Sequence, residues 1–252
     1  MTRSPRGRVS VCMATYNGER FVAEQIGSIL PQLAPDDELI VVDDASSDST
    51  VSVLEGLARH DPRIRVTART DNRGYVRTFE EALSLAGGDL LLLSDQDDVW
   101  TPDHVEVLVN ALEGAEVAAT NLGTLGGPDA IRGPYGQADW HLRAADSHRA
   151  WRNVLGVLAG NRPYYGCAMG VRAEALARGL APFPGFLGES HDLWIALYGN
   201  LRRSVCHCPQ RTVLRRFHES NQTPNRPRGV RAAIGSRLLL LRCIGELRRR
   251  IR

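Results

Sequence analysis

Residues 90–100 read LLLLSDQDDVW, and their reading decides the fold. Four consecutive leucines belong in an interior. Asp95, Asp97 and Asp98 follow almost at once, repel one another, and belong in water or on a cation. A run that is apolar at every position, rather than at alternate ones, fits a strand covered on both faces, as in a parallel sheet with helices on each side. Residues 89–94 then form a buried strand, and the acids sit at its carboxyl mouth.

The flanking sequence repeats that pattern. Val9–Ala14 (VSVCMA) and Glu38–Val42 (ELIVV) are short, apolar and β-branched, Ile64–Ala68 (IRVTA) is less apolar and so belongs nearer an edge, and Val117–Thr120 is a fifth short strand. Helical spacing fills the gaps. Phe21, Gln25/Ile26, Ile29/Leu30 and Leu33 recur over 18–33, and Val53, Leu54 and Leu57 lie on a helix that Ser49 or Thr50 caps. Residues 74–86 form another helix, and Pro102 opens one running to about Leu112. Strands alternating with helices predict an α/β protein with a Rossmann-type, mostly parallel sheet and helices on both faces. With 252 residues and 43% hydrophobic content the chain can bury a large core, and no internal repeat stands out.

Ligands of such sheets bind beyond the carboxyl ends of the strands, where the strand order reverses. Four strand ends read TYNGE, DDASSD, RTDNRG and SDQDDVW; all are polar and two are dense in Asp. Clustered carboxylates with open geometry suit a hard divalent cation, Mg²⁺ or Mn²⁺, shared with ligand phosphates. DDASSDST lacks the Gly and distal Glu of a calcium loop. No G-x-x-x-x-G-K-[ST], no G-x-G-x-x-G after the first strand and no G-x-S-x-G occurs, which disfavours P-loop enzymes, dehydrogenases and α/β-hydrolases. All 31 basic residues are Arg, so no Schiff-base lysine is available.

These pieces, in order, resemble glycosyltransferase family 2, the inverting GT-A group: VSVCMATYNGERFVAEQIGSIL, DELIVVDDASSDST, DNRGYVRTFEEAL and GGDLLLLSDQDDVW. SDQDDVW and the later HDLWIAL are similar to its rhamnosyltransferase-like branch. The resemblance covers 8–121 strongly and 160–222 more loosely. It implies a single catalytic domain over 1–225, with a nucleotide-sugar half at 8–121 and an acceptor half at 122–225, followed by a basic helical tail at 226–252. It also implies roles for individual residues. Thr15, Tyr16 and Asn17 line the nucleotide pocket; Asp44 reads the pyrimidine or its ribose, with Asp43 as the alternative; Asn72 and Gly74 lie in the loop near the base. Asp95 and Asp97 match the D-x-D pair, the second as metal ligand and the first towards the ribose. Asp192 matches the catalytic base, with Glu189 and His191 as adjacent rivals, and His218 matches a residue near the diphosphate or metal. The function so implied is metal-dependent, inverting transfer of a sugar, rhamnose among the candidates, from a dTDP- or UDP-linked donor to a glycan or lipid-linked acceptor in cell-surface polysaccharide synthesis. A sugar nucleotidyltransferase, which would release pyrophosphate, and a non-catalytic nucleotide- or glycan-binding relative are the alternatives.

Elsewhere the reading is more open. Tyr164, Tyr165 and Gly166 line an acceptor pocket or simply pack. Residues 122–150 are rich in Gly and Asp with little periodicity, and no role follows for them. Five cysteines, an odd number without disulfide spacing, suit a reducing cytosol. No signal peptide opens the chain and no apolar run approaches ~20 residues, so a cytoplasmic location is expected. Net charge is +2, yet from Arg226 onward nine Arg oppose one acid, which leaves that tail at +8 and the remainder at −6. Val230, Ile234, Leu238, Leu241, Ile244, Leu247 and Ile251 recur at steps of three and four, predicting an amphipathic helix with one apolar face. Peripheral contact with the inner face of the plasma membrane, docking on the domain, and dimerisation all fit it. No nucleic-acid recognition motif is present.

Overall fold

The computed structural model describes residues 6–217 and 230–251. In chain order the elements are β1 Val9–Thr15, α1 Val22–Ile29, β2 Glu38–Asp43, α2 Thr50–His60, β3 Ile64–Ala68, α3 Tyr75–Leu85, β4 Leu90–Ser94, β5 Val99–Trp100, α4 His104–Leu112, β6 Val117–Thr124, α5 Ala150–Ala159, β7 Met169–Arg172, α6 His191–Leu201, β8 Val205–Arg215 and α7 Val230–Arg250.

All eight strands join one sheet, ordered β3-β2-β1-β4-β7-β6-β8-β5. The pairs β1–β2, β2–β3, β1–β4 and β6–β8 are parallel. β4–β7, β6–β7 and β5–β8 are antiparallel. The four leucines divide between the two faces. Leu91 and Leu93 pack with Phe79 and Val76 of α3 and with Trp194 and Tyr198 of α6, whereas Leu90 and Leu92 pack with Val22 and Ile26 of α1 and Leu108 and Leu112 of α4. A strand in that position has no polar face to offer, which is why every residue is apolar. Burying each leucine stabilises the fold by about 1.5–3 kcal/mol.

The chain runs outward from β1 through β2 to β3, an edge strand as its polarity predicts, and then crosses back over β1 to β4. The strand order therefore reverses between β1 and β4, and the acidic strand ends flank that reversal. β7 differs from the simple parallel expectation, because it arrives from much later in the chain and inserts antiparallel between β4 and β6.

Several boundaries also differ. The helix expected over 18–33 is regular only from Val22 to Ile29 and tightens to a 3₁₀ turn at Leu30–Gln32, because Pro31 cannot donate to an α-helical ladder. Neither expected cap serves α2 with a side chain; the Asp48 carboxylate accepts the Thr50 amide at 3.0 Å instead. β6 extends to Thr124 and pairs over most of its length with β8, a strand that the mixed sequence CHCPQRTVLR does not reveal. Within the 122–150 region, Leu142 is pinned by buried Asn121, whose Oδ1 accepts the Leu142 amide at 2.6 Å while its Nδ2 donates to the Cys208 carbonyl at 3.0 Å.

The tail helix corrects the single-face reading. Leu240, Cys243, Ile244 and Leu247 are buried against the domain, and α7 packs on α6, but Ile234, Leu238 and Leu241 point outward. Among the described residues no helix is long and apolar enough to cross a membrane.

Candidate active site

The carboxyl ends of β1 and β2 are stitched together by side chains their turns supply. The Thr15 hydroxyl donates to Asp43 Oδ2 at 2.8 Å, and Asp43 also accepts the Ser46 amide and hydroxyl at 2.8 and 2.6 Å. Asn17, at φ 48°, donates its amide to Ser46 Oγ at 2.8 Å and accepts the Ser47 amide on Oδ1 at 2.9 Å. Asn tolerates that left-handed backbone because its short polar side chain bonds locally. Asp43 is fully buried and satisfied inside this lattice, so of the two adjacent acids it is Asp44 that lines the cavity.

Asp44 organises the loop after β3. Its Oδ1 accepts the Arg73 amide at 2.9 Å and the Arg69 guanidinium at 2.9 Å, and its Oδ2 accepts the Gly74 amide at 2.8 Å. Asn72 Nδ2 donates back to the Asp44 carbonyl at 3.0 Å. Gly74 sits at φ 81°, ψ 152°, a conformation that side chains disfavour, and α3 starts at the next residue. Asn72, Gly74 and Asp44 thus form one preorganised wall.

Gln96 fixes the turn after β1 to the turn after β4. Its Oε1 accepts the Tyr16 amide at 2.9 Å and its Nε2 donates to the Tyr16 carbonyl at 3.0 Å. A Cβ on Gly18 would lie 2.2 Å from Gln96 Oε1, so only glycine permits this clamp.

Beside Gln96 lies the acid cluster. Ligand atoms of Asp95, Asp98 and Cys167 all fall within 4.8 Å of one another, and Asp97 lines the same cavity. Burial, then the charges of Asp98 and Asp97, raise the Asp95 pKa well above the usual carboxylate range, and Arg215 offsets this only in part. Burial and the Asp97 charge raise Asp98 likewise. Crowded carboxylates in a half-dry cleft are short of positive charge. For Mg²⁺ or Mn²⁺ the donors fit, being hard oxygens at a cavity mouth with room for ligand phosphates. Cys167, whose thiol burial pushes far up, is the one soft group among them.

The opposite wall comes from α3, α6 and the end of β8. Asp192 lies in the first turn of α6, where the helix end favours a carboxylate, and its Oδ1 accepts the Leu193 amide at 2.8 Å. Tyr75 accepts the Ser190 amide on its hydroxyl at 2.9 Å and lines the cavity; burial raises its pKa, and the charges of Asp192, Glu189 and Asp95 add to that. His191 stacks on Phe79 at 4.4 Å, is buried, and has its pKa pushed down to about 3, which makes it a poor rival to Asp192 as a base. Tyr164 and Gly166 line the cavity as well, with the Tyr164 hydroxyl held by His207 at 2.8 Å and Asn200 at 3.0 Å. Tyr165, half-buried, faces the cavity with Arg215 and Arg216. The Arg216 amide donates to Asp98 Oδ1 at 3.3 Å and its guanidinium to the Asp97 carbonyl at 3.2 Å.

These walls enclose a cavity of about 700 Å³. Thr15, Tyr16, Asn17, Asp44, Asn72, Gly74, Asp95, Asp97 and Asp192 all line it. His218 lies outside the described residues. Asp98, read from the sequence as the third acid of the cluster but given no role of its own, also lines the cavity. Gln96, Tyr75 and Cys167 line it too and were not singled out by sequence reasoning, because they look like ordinary turn, helix and core residues.

The family model described as "Glycosyl transferase family 2" matches residues 10–176. Curated relatives include the putative glycosyltransferase EpsE of Bacillus subtilis, 39% identical over 107 residues, a match covering 42% of this chain and 38% of that protein. The UDP-Glc:alpha-D-GlcNAc-diphosphoundecaprenol beta-1,3-glucosyltransferase WfgD of Escherichia coli is 33% identical over 105 residues, covering 41% of this chain and 40% of that protein. The dTDP-rhamnosyl transferase RfbG of Shigella flexneri is 32% identical over 105 residues, covering 40% of this chain and 36% of that protein. These matches thus span about two-fifths of each relative's length. Among solved structures, S. aureus TarS in complex with UDP superposes with a TM-score of 0.65 at 19% identity, over 83% of this chain and 60% of that one. The mannosyltransferase PcManGT from Pyrobaculum calidifontis, with GDP-Man and Mn²⁺, gives 0.58 at 23% identity, over 86% of this chain and 59% of that one. At those identities the likeness is one of fold, that of the GT-A glycosyltransferases.

Proposed function

Because the chain belongs to glycosyl transferase family 2, we propose that it moves a sugar from a nucleoside-diphosphate donor to a glycan or lipid-linked acceptor, with inversion and with a divalent metal. A dTDP- or UDP-linked donor is the reading we favour, rhamnose among its sugars, in cell-surface polysaccharide synthesis at the cytoplasmic face of the membrane. The activities in the names of the relatives RfbG and WfgD support the donor and acceptor classes by similarity alone. We take residues 8–121 as the donor half and 122–225 as the acceptor half of one catalytic unit.

One observation carries this reading. Asp44, Asp95, Asp97 and Asp192 arrive from two separate strand ends and a distant helix, yet share a single cavity at the reversal in strand order. The first wall, from Thr15 to Asn17 with Asp44, Asn72 and Gly74, holds the nucleoside. Asp95 and Asp97, with Asp98 beside them, hold Mg²⁺ or Mn²⁺. When bound, that ion supplies charge stabilisation for the departing diphosphate. Arg215 and Arg216 add fixed positive charge at the same end. Across the cavity Asp192 accepts the proton of the acceptor hydroxyl as its oxygen bonds to the anomeric carbon. The bond from that carbon to the diphosphate oxygen breaks on the opposite side, so one displacement inverts the centre and releases a nucleoside diphosphate.

Thermal-shift measurements with nucleoside diphosphates and nucleotide sugars, with and without Mn²⁺, test the proposal. A cognate ligand at 100 times its Kd adds about 2.7 kcal/mol of stability. Absence of any Mn²⁺-dependent stabilisation across the panel, or pyrophosphate as the released product, would overturn it.

A further inference from the structure

We propose that the outward faces of α7 and α5 together form a docking surface for an anionic lipid bilayer. α7 has two apolar sides. One, through Leu240, Cys243, Ile244 and Leu247, is already used against the domain. The other presents Ile234, Leu238 and Leu241, which are 56%, 62% and 53% exposed although apolar. Their spacing of four and three residues puts them on one stripe.

α5 continues that stripe. The Arg248 guanidinium lies 5.1 Å from the Trp151 ring, and a Cβ on Gly160 would meet the Arg237 guanidinium at 2.9 Å. Arg248 is late in α7 and Trp151 early in α5; Arg237 is earlier in α7 and Gly160 just beyond the end of α5. The two helices therefore lie side by side and antiparallel. Trp151 and Leu155, one turn apart, are 52% and 64% exposed, so large apolar side chains from both helices share this surface.

Charge identifies the occupant. Neither helix carries a carboxylate except Glu246, and that one is taken by Arg249 at 2.8 Å and Arg250 at 2.7 Å. Arg237, Arg242 and Arg248 thus border the stripe without an acidic counterpart on either helix. An apolar stripe containing Trp and Leu, rimmed by Arg and docked on its other side, matches a helix lying in a bilayer interface above anionic headgroups. The biological sense of this surface rests on the reading of a lipid-linked acceptor, but its test involves no transfer.

The full chain is sedimented with vesicles of phosphatidylcholine alone and of phosphatidylcholine with phosphatidylglycerol, while Trp fluorescence is followed. Binding is expected to the anionic vesicles only, to weaken as salt rises, and to bring a blue shift. The double variant Leu238→Glu/Leu241→Glu, whose positions are exposed and whose fold is checked by circular dichroism, is expected to lose binding about tenfold or more. Trp151→Ala is expected to remove most of the blue shift. Equal sedimentation with both vesicle types, no sedimentation of the wild type, or a dimer that Leu238→Glu/Leu241→Glu splits would each overturn the proposal. Vesicle binding without any nucleotide-sugar stabilisation would instead defeat the proposed enzymatic function and leave this surface standing.

Discussion

Glu116 gives the clearest quantitative test. It stands at the start of β6, 7% exposed, and gathers three groups: Arg178 at 3.0 Å, Arg202 at 2.9 Å and the Tyr198 hydroxyl at 2.7 Å. Tyr198 lies near the far end of α6, the helix whose first turn carries Asp192, and Arg202 lies just beyond it. Glu116 therefore anchors the helix that positions the proposed base. Burial raises its pKa, but the hydrogen bonds from Arg202, Tyr198 and Arg178 win and draw it from 4.5 down to about 2. At about 1.4 kcal/mol per pH unit, that difference sets a ceiling of about 3 kcal/mol on its contribution. Arg178 and Arg202 keep 48% and 32% of their side chains in water, so screening lowers the expectation to about 2 kcal/mol. Because the folded pKa is the depressed one, this stability is present above the unfolded value near 4.5 and is lost as pH falls towards about 2. Urea unfolding of wild type and Glu116→Gln at neutral pH should differ by about 2 kcal/mol, and the gap should shrink by more than half near pH 3. A gap that is negligible at neutral pH, or that persists unchanged in acid, would refute the assignment of the shift to this cluster.

Three other outcomes are expected. Asp192→Asn should lower kcat by about 10²–10⁴-fold while nucleotide binding, read by thermal shift, stays near wild type; comparable loss of binding would place Asp192 on the donor side instead. Asp95→Asn removes a carboxylate from a crowded cluster, so the metal-free protein should melt higher and its Mn²⁺-dependent stabilisation by nucleotide should vanish; a lower metal-free melting temperature would contradict the repulsion described here. Gly18→Ala should force Gln96 off Tyr16, costing about 1–2 kcal/mol in urea unfolding and weakening donor affinity, and an unperturbed variant would show that the clamp is dispensable.

Much of this was legible in the residues. Leu90–Leu93 announced a strand covered on both sides, and the low apolarity of Ile64–Ala68 announced an edge. The polar strand ends announced where the cavity opens, and the order of the motifs announced the family. Less was legible where the determinant is a long-range contact. β7 shows no sign of its antiparallel insertion beside β4, because pairing direction is set by how the chain returns and not by side-chain type. β8 was hidden by its mixture of Cys, His, Pro and Arg. Tyr164 lines the cavity as its sequence position allowed, but that His207 and Asn200 hold its hydroxyl could not be read along the chain. The α7 periodicity drifts round the helix, so one apolar series divides between a docked side and an exposed one.

By itself, then, the order of residues determined the local conformation, the layers and the chemical inventory: period, burial pattern and turn chemistry act over a few neighbours and can be read along the chain. Only the tertiary structure decided which acids share a cavity, that Cys167 stands beside Asp95 and Asp98, and that Asp43 is spent on Thr15 and Ser46 while Asp44 lines the cavity. Those outcomes depend on distances between groups far apart in sequence, and electrostatic and hydrogen-bond energies are functions of distance and burial rather than of composition.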